Sequence, residues 1–228
     1  MIDACVLFNI YPRPVCRGMV NSVGERLFKI LEISENSVTS GDICGMILGP
    51  DCSGGSSSHD DWSLDIPELD QVPPYVPPPV PDQPWNVSKI LHLSDLHVHL
   101  NYSVGAASQC DYPICCMNHL DQVSDDEGAG YWGDYSCDLP PWTLDETLSH
   151  IRSNHPDLDM ILLTGDLPAH DVWLQNQNYN LENIAVVASS LRKYFPHIPV
   201  LPAVGNHESY PVNMFPGRYI YKHSFHIP

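Results

Sequence analysis

The sequence predicts an α/β fold in which short parallel strands alternate with helices. Three apolar runs, within residues 90–93, 159–166 and 198–208, are rich in branched residues and too short for helices, which indicates strands. Segments with apolar residues at helical spacing precede the second and third runs, so we expect helices that connect the strands by right-handed crossovers. The expected architecture is half of a two-sheet sandwich. Each run ends in side chains that can bind a metal ion. Because the carboxyl ends of parallel strands share one edge of a sheet, these side chains are expected to converge.

The first strand is followed directly by Asp95 and His97. A carboxylate oxygen and an imidazole nitrogen in this spacing can bind one divalent cation together. The motif alone is a weak signal, because a solvated aspartate beside a surface histidine is the commoner arrangement.

Two later strand ends carry the same kinds of side chain, and this repetition makes the set specific. The second run ends in Asp166, and the third ends in Asn206, His207 and Glu208. Their order along the chain is Asp-x-His, Gly-Asp and Gly-Asn-His-Glu. The alternative is that Asp166 and Asn206 are turn residues, which is common for both types.

Two helices are predicted before the second and third strands. Residues 143–153 begin with Thr143 and Glu146 in capping-box spacing, and residues 181–195 form a clearer amphipathic helix. Residues 100–140 form a long loop, and loops of this length are usually functional or cross-linked.

The charge balance disfavours one class of partner. Ten basic and 28 acidic residues give a net charge of −18, which is unfavourable for binding nucleic acid. No segment approaches the roughly 20 apolar residues that span a bilayer. The first ten residues lack a positive start and a small-residue cleavage site, so they do not predict a signal peptide.

Eight cysteines predict an oxidising compartment. Four of them lie in the long loop: Cys110, Cys115, Cys116 and Cys137. A cytosolic zinc site is the alternative, but the cluster lacks paired Cys-x-x-Cys spacing. Asn86 and Asn101 begin Asn-x-Ser sequons, which is consistent with glycosylation in the secretory pathway. Because the N-terminus shows no signal peptide, we expect the chain to be incomplete.

Composition divides the chain into a helical unit at residues 1–54, a Gly/Ser- and Pro-rich linker at 55–86, and an α/β unit at 87–228. The helical unit, at residues 18–33 and 40–48, has apolar residues at helical spacing. Packing between the helices is one role for these apolar residues.

The helical unit also carries four cysteines: Cys5, Cys16, Cys44 and Cys52. Amphipathic helices bracketed by cysteines resemble the later half of a saposin-type domain, a module that engages lipid. The resemblance implies a disulfide between Cys5 and Cys16, and partners for Cys44 and Cys52 upstream of Met1.

The ordered strand-end motifs resemble those of the calcineurin-like metallophosphoesterases, whose sites hold two metal ions at the ends of parallel strands. Within that group, residues 94–97, 128–133, 164–173 and 203–209 resemble the acid sphingomyelinase family. The implied fold is a partial calcineurin-like metallophosphoesterase sandwich preceded by a partial all-α saposin-type unit.

This resemblance implies a metal-binding role for four residues. Asp166 would bridge two ions, Asp95 and His97 would complete the shell of one, and Asn206 would supply a neutral oxygen to the other. The ions would be zinc, and a hydroxide that bridges them would attack the phosphate diester.

Two histidines have implied catalytic roles. His207 would act as general acid on the leaving alkoxide, with His170 assisting and Glu208 orienting His207. The alternative for His170 is a structural loop histidine.

The implied reaction is the hydrolysis of sphingomyelin to ceramide and phosphocholine, in the lysosome or outside the cell. The saposin-type unit would contact the membrane surface and lift out the sphingolipid. The family resemblance also implies disulfides Cys110–Cys115 and Cys116–Cys137.

The chain departs from this family after Glu208, because it lacks the later histidines that complete the metal shells. We therefore expect this chain alone to be inactive. Two alternatives remain open: a non-catalytic secreted protein that binds or regulates lipid, and a nucleotide-cleaving phosphodiesterase of the acid sphingomyelinase-like type.

Overall fold

A computed structural model describes residues 2–33, 87–120 and 128–215, with short pieces at 38–39, 41–42, 45, 64 and 74–79. The chain divides into two compact units, one formed by Met1–Gly24 with Ser88–Pro228 and the other by Glu25–Val87. The predicted three-part division stays a prediction. Most of the helix predicted at residues 40–48 lies outside the described residues, as do Cys44, Cys52 and Asn86.

The N-terminal segment forms two helices, α1 (Ile2–Leu7) and α2 (Arg13–Ile33), so α2 begins five residues before the periodic apolar pattern. The predicted disulfide Cys5–Cys16 joins them. Gly18 packs so closely on Trp173 that a Cβ atom there would lie 2.0 Å from the Trp173 carbonyl oxygen. None of the described helices is long and apolar enough to cross a membrane.

Three parallel strands form one sheet, as predicted: β1 (Ile90–Leu93), β2 (Met160–Leu163) and β3 (Val200–Pro202), in the order β1-β2-β3. Leu93 pairs with Leu163, and Leu163 pairs with Pro202, so the three strands end at the same level. Only the central strand alternates between partly and fully buried residues. The second sheet of the predicted sandwich is not among the described residues.

Two further helices, α3 (Pro141–Asn154) and α4 (Gln177–Tyr194), contact each other and share an apolar core with β2. The fully or nearly fully buried members of this core are Val98, Leu144, Leu148, Ile161, Leu163, Leu167, Val187, Leu191 and Phe195. This core fixes the sheet, and therefore the positions at which the strands end.

Both helix starts differ from the prediction. The structure has Pro140 at the N-cap of α3 with no side-chain cap, so the capping box predicted for Thr143 is wrong. Proline suits a helix start because it lacks the amide hydrogen that would have no partner there. Helix α4 begins four residues earlier than predicted, where the Asn176 side chain accepts a hydrogen bond from Tyr179 N at 3.1 Å.

The long loop after β1 is cross-linked by the two disulfides that the resemblance implied, Cys110–Cys115 and Cys116–Cys137. Two of its glycines pack against each other, since a Cβ atom on Gly128 would lie 3.1 Å from Gly105 Cα. These links stabilise a loop with little regular structure.

Candidate active site

Backbone hydrogen bonds bring the ends of β1 and β2 together. Asp95 N donates to Gly165 O, and His97 N donates to Asp166 O, each at 3.0 Å. Asp95, His97 and Asp166 all have positive φ angles, of 55°, 39° and 54°. This conformation costs non-glycine residues about 1 to 3 kcal/mol each and concentrates at functional sites. The strained backbone therefore marks this edge of the sheet as a functional site.

Gly165 and Gly205 allow the second and third motifs to approach closely. A Cβ atom on Gly165 would lie 2.3 Å from Gly205 N, and one on Gly205 would lie 2.2 Å from Asp166 Oδ1. Gly165 also has a φ of 95°, which side chains other than hydrogen disfavour. The close approach lets His207 N donate to Asp166 Oδ1 at 2.8 Å.

Glu208 holds these two motifs together through backbone amides. Its carboxylate accepts hydrogen bonds from Gly205 N at 2.6 Å, from Asp166 N at 3.0 Å and from Leu167 N at 2.7 Å. The expectation that Glu208 orients the His207 imidazole is therefore corrected. The carboxylate instead fixes the loop that carries Asp166.

Replacing Glu208 with glutamine is expected to destabilise the protein, because the amide group of glutamine has one acceptor oxygen where the carboxylate has two. Each backbone amide left without an acceptor costs about 1.5 to 3 kcal/mol when the lost partner was charged. Denaturant unfolding of the Glu208→Gln variant measures this loss. Glu182→Gln, an exposed site on α4, is the matched control. Equal free energies of unfolding for the two variants would contradict the role of Glu208.

Three of the predicted metal ligands form one cluster. Ligand atoms of Asp95, His97 and Asp166 lie within 4.8 Å of one another. His97 Nδ1 lies 2.8 Å from Pro168 O, so this nitrogen donates to the carbonyl and Nε2 keeps its lone pair. His97 Nε2 lies 4.0 Å from Asp95 Oδ1. Two carboxylates and an oriented imidazole fit a divalent cation such as zinc.

Asn206, the fourth predicted ligand, lies at the start of a 3₁₀ helix, Asn206–Glu208, at the same edge of the sheet. It is adjacent to His207, whose backbone amide contacts Asp166. Its side-chain Nδ2 donates to Asn213 Oδ1 at 2.9 Å, which orients the amide group.

Both predicted catalytic histidines lie beside His97. The ring centroids of His97 and His170 are 4.0 Å apart, those of His97 and His207 are 4.7 Å apart, and those of His170 and His207 are 4.5 Å apart. One ring nitrogen from each histidine lies within 4.8 Å of the other two. The three imidazoles therefore form a second cluster that shares His97 with the first.

The surroundings shift the pKa values of His170 and His207 in opposite directions. His170 Nδ1 lies 2.9 Å from Asp138 Oδ1, and this hydrogen bond raises the pKa of His170. Burial lowers the pKa of His207, and the neighbouring His170 and His97 lower it further. Of the two, His170 is the one that retains a proton at higher pH, and it is also the more exposed.

Sequence reasoning missed the supporting roles of two buried carboxylates. Asp138 is buried and also accepts a hydrogen bond from His170 N at 2.6 Å. Asp171 is fully buried and accepts from Tyr179 Oη at 2.8 Å, with His99 Nε2 at 3.7 Å. Asp138 directly follows a cysteine in a loop with no periodic pattern, so no local signal in the sequence distinguishes it.

Asn180 is a further supporting residue that the sequence did not indicate. It is buried on α4, and its side-chain amide donates to His207 O at 3.1 Å and to Ser209 O at 3.2 Å. These bonds fix the third motif to the helix packed behind it. A polar residue on the buried face of an otherwise amphipathic helix is the signal that would have found it.

The sequon asparagine Asn101 contacts this supporting network. Its Nδ2, the atom that would carry a glycan, lies 3.1 Å from Tyr179 Oη and 3.4 Å from Asp171 Oδ2. The residue is partly buried. Glycosylation at Asn101 and at Asn86 stays a prediction.

Two clefts open beside the histidines. A cleft of about 760 Å³ is lined by Asp95 and His97, and a cleft of about 500 Å³ is lined by His170 and His207. Tyr135, Cys137 and Asp138 line both clefts. A substrate at the metal cluster therefore has two separate directions in which its ends can lie.

The chain is similar in sequence to known mammalian proteins. The chain is 40% identical over 223 residues to the sphingomyelin phosphodiesterase of Homo sapiens, which covers 96% of this chain and 34% of that protein. It is 39% identical over 224 residues to the sphingomyelin phosphodiesterase of Bos taurus, covering 96% of this chain and 35% of the relative. The chain thus spans about a third of the length of these curated relatives.

A more distant relative is the acid sphingomyelinase-like phosphodiesterase 3b of Mus musculus, which is 33% identical over 146 residues, covering 59% of this chain and 30% of that protein. Residues 88–227 match the calcineurin-like phosphoesterase family. This match contains every residue of the metal and histidine clusters. The chain belongs to the calcineurin-like phosphoesterase family.

Proposed function

We propose that the protein of which this chain forms part is a zinc-dependent phosphodiesterase that hydrolyses sphingomyelin to ceramide and phosphocholine. The observation that carries the proposal is the convergence of Asp95, His97 and Asp166, each with a strained backbone, beside two further histidines. The similarity to two mammalian sphingomyelin phosphodiesterases supports the choice of substrate.

Membership of the family implies the use of divalent metal. Asp95, His97 and Asp166 would hold one cation, and Asp166 with the Asn206 amide oxygen would contribute to a second. When bound, two zinc ions supply positive charge to the phosphate group and make a water molecule more acidic. His97 is held in a metal-binding tautomer by Pro168 O, and Asp166 is held by Glu208 through its backbone amide.

We assign the proton donor to His170 rather than to His207, which the sequence predicted as the general acid, because the Asp138 hydrogen bond raises the pKa of His170 and its side chain is accessible. A protonated imidazole there transfers its proton to the alkoxide oxygen as the ceramide leaves. His207, whose pKa is lowered by burial, stays neutral over more of the pH range. Opposite pKa shifts in a neighbouring pair are typical of acid and base assignments.

The proposal includes a location in the lysosome or outside the cell and contact of the protein with a membrane surface. The three disulfides among the described residues support an oxidising compartment, either the lysosome or the outside of the cell. At the N-terminus, Leu7, Phe8 and Ile10 are exposed, which supports contact of a saposin-type unit with a membrane surface. The many acidic residues make nucleic acid an unsuitable partner.

The test is an assay of the full-length protein on vesicles that contain sphingomyelin. Release of phosphocholine is expected, with loss of activity after treatment with a zinc chelator and recovery when zinc is added back. Preferred cleavage of nucleotide substrates would instead favour a nucleotide phosphodiesterase. Binding to vesicles without turnover would favour a non-catalytic lipid-binding protein.

A further inference from the structure

The cleft beside Asp95 and His97 has aromatic and acidic side chains that the proposed chemistry does not use. Trp132, Asp134 and Tyr135 line it, and among its described lining residues there is no lysine or arginine. The Trp132 side chain is 59% exposed, and Tyr135 is fully exposed. Large exposed aromatic side chains beside a site mark a surface that binds a ligand.

We call Trp132, Asp134 and Tyr135 the aromatic wall of this cleft. The start of α3 holds its Trp132 end in place. Thr143 Oγ1 donates to Trp132 O at 2.9 Å, and Trp142 Nε1 donates to Tyr131 O at 2.5 Å. The Tyr131 ring packs on Trp132 with a centroid separation of 4.9 Å. The Trp132 end of the wall is therefore anchored to a helix that belongs to the core.

Asp134 gives the wall a negative charge. Its Oδ1 accepts a hydrogen bond from Ser136 N at 2.8 Å, which fixes the carboxylate within the turn. Electron-rich ring faces next to a carboxylate attract an organic cation, and quaternary ammonium groups suit them best because such groups cannot donate hydrogen bonds. An anionic group would be repelled by this part of the cleft.

On the basis of the proposed function, we infer that Trp132, Asp134 and Tyr135 bind the quaternary ammonium group of a phosphocholine substrate, with its phosphate at Asp95, His97 and Asp166. Asp95 and His97 of the metal cluster line the same cleft as Trp132, Asp134 and Tyr135, so one zwitterionic head group contacts metal ligands and the aromatic wall together. This subsite selects choline-bearing phosphate esters.

The second cleft accommodates the other end of the substrate. It is lined by His170 and His207 and by the apolar side chains of Ile114, Val172 and Val212. Since the proton donor must lie beside the leaving oxygen, the ceramide portion belongs in this cleft. The head group then lies in the first cleft, which Tyr135, Cys137 and Asp138 separate from the cleft that holds the ceramide portion.

A nucleobase stacked on the same rings is the rival ligand, because every base has a π face. A stacked base carries no positive charge at neutral pH, so it does not need Asp134. Sensitivity to the charge of residue 134 therefore separates the two ligands.

The test measures binding to the zinc-loaded full-length protein by calorimetry. The probes are phosphocholine, its uncharged-head analogue 3,3-dimethylbutyl phosphate, cytidine monophosphate and inorganic phosphate. Phosphocholine has a positively charged quaternary nitrogen where the analogue has an uncharged quaternary carbon, and the two molecules are otherwise the same. The ratio of their affinities therefore measures the contribution of the positive charge to binding. We expect phosphocholine to bind roughly 3- to 30-fold more tightly than the analogue.

The same ratio is measured for Asp134→Asn, which preserves the acceptor for Ser136 N, and for Trp132→Leu. It is expected to fall towards one in both variants. Tyr135→Leu should lower it too, whereas Tyr75→Leu, at an exposed tyrosine that lines neither cleft, should not.

A wild-type protein that binds inorganic phosphate but binds phosphocholine and the analogue equally would overturn the subsite alone. Tighter binding of cytidine monophosphate that depends on Trp132 but not on Asp134 would also overturn it, in favour of a base-stacking site. Failure to bind inorganic phosphate would contradict the proposed metal site itself, and the subsite with it.

Discussion

Replacing Asp166 with asparagine is expected to reduce the metal content of the full-length protein and to lower its phosphodiesterase activity by about a thousandfold or more. Loss of several kcal/mol of charge stabilisation in the transition state corresponds to a change of this size. Asparagine still offers an oxygen to His207 N and tolerates the positive φ of 54°, so the fold should be preserved. Metal content is measured by elemental analysis, and activity by release of phosphocholine.

Asp111→Asn is the matched control, because Asp111 is an exposed aspartate in the disulfide-linked loop. It should have the metal content and activity of the wild-type protein. An Asp166→Asn variant that retains its full complement of metal would show that the Asp95, His97 and Asp166 cluster is not the metal site.

Replacing His170 with glutamine is expected to lower the rate by about a hundredfold to ten-thousandfold while leaving the metal content unchanged. The three imidazoles lie close enough together to bind a metal ion themselves, so metal content distinguishes a proton donor from a ligand. Loss of metal from the His170→Gln variant would assign His170 to the metal shell instead.

The Asp138→Asn variant tests the same proton donor through the pH dependence of activity. The Asp138 hydrogen bond raises the pKa of His170, so protonated His170 persists to higher pH in the wild-type protein. Activity that requires this proton is present at low pH and is lost as the pH rises through the His170 pKa. Removing the negative charge lowers that pKa, and the alkaline limb of the profile should therefore move to lower pH.

The comparison is made on kcat at saturating sphingomyelin, with His170→Gln as the reference that lacks the titrating group. A purely structural role for Asp138 would lower the whole profile without moving its alkaline limb. That result would exclude His170 as the titrating acid. Asp145→Asn, at an aspartate on α3 that pairs with Lys193, is the control for loss of an aspartate charge elsewhere.

The strands and the residues at their ends were predictable because both are encoded locally. An apolar run of branched residues identifies a strand wherever it lies in the fold, and a parallel arrangement places the strand ends at one edge. Asp95, His97 and Asp166 therefore converge as the sequence alone indicated. The helix starts were predicted less well, since the real start of α3 depends on Pro140 and Pro141 rather than on Thr143.

Only the tertiary structure decided how the site is supported and which histidine holds a proton more strongly. Asp138 reaches His170 across 32 residues, and Glu208 reaches the Asp166 amide across 42, distances along the chain at which no periodic pattern carries information. The pKa of a histidine depends on burial and on the charges packed around it, which are properties of the folded chain. The sequence determined which groups lie at the edge of the sheet, and folding determined their charges, because electrostatic surroundings are assembled from segments distant in sequence.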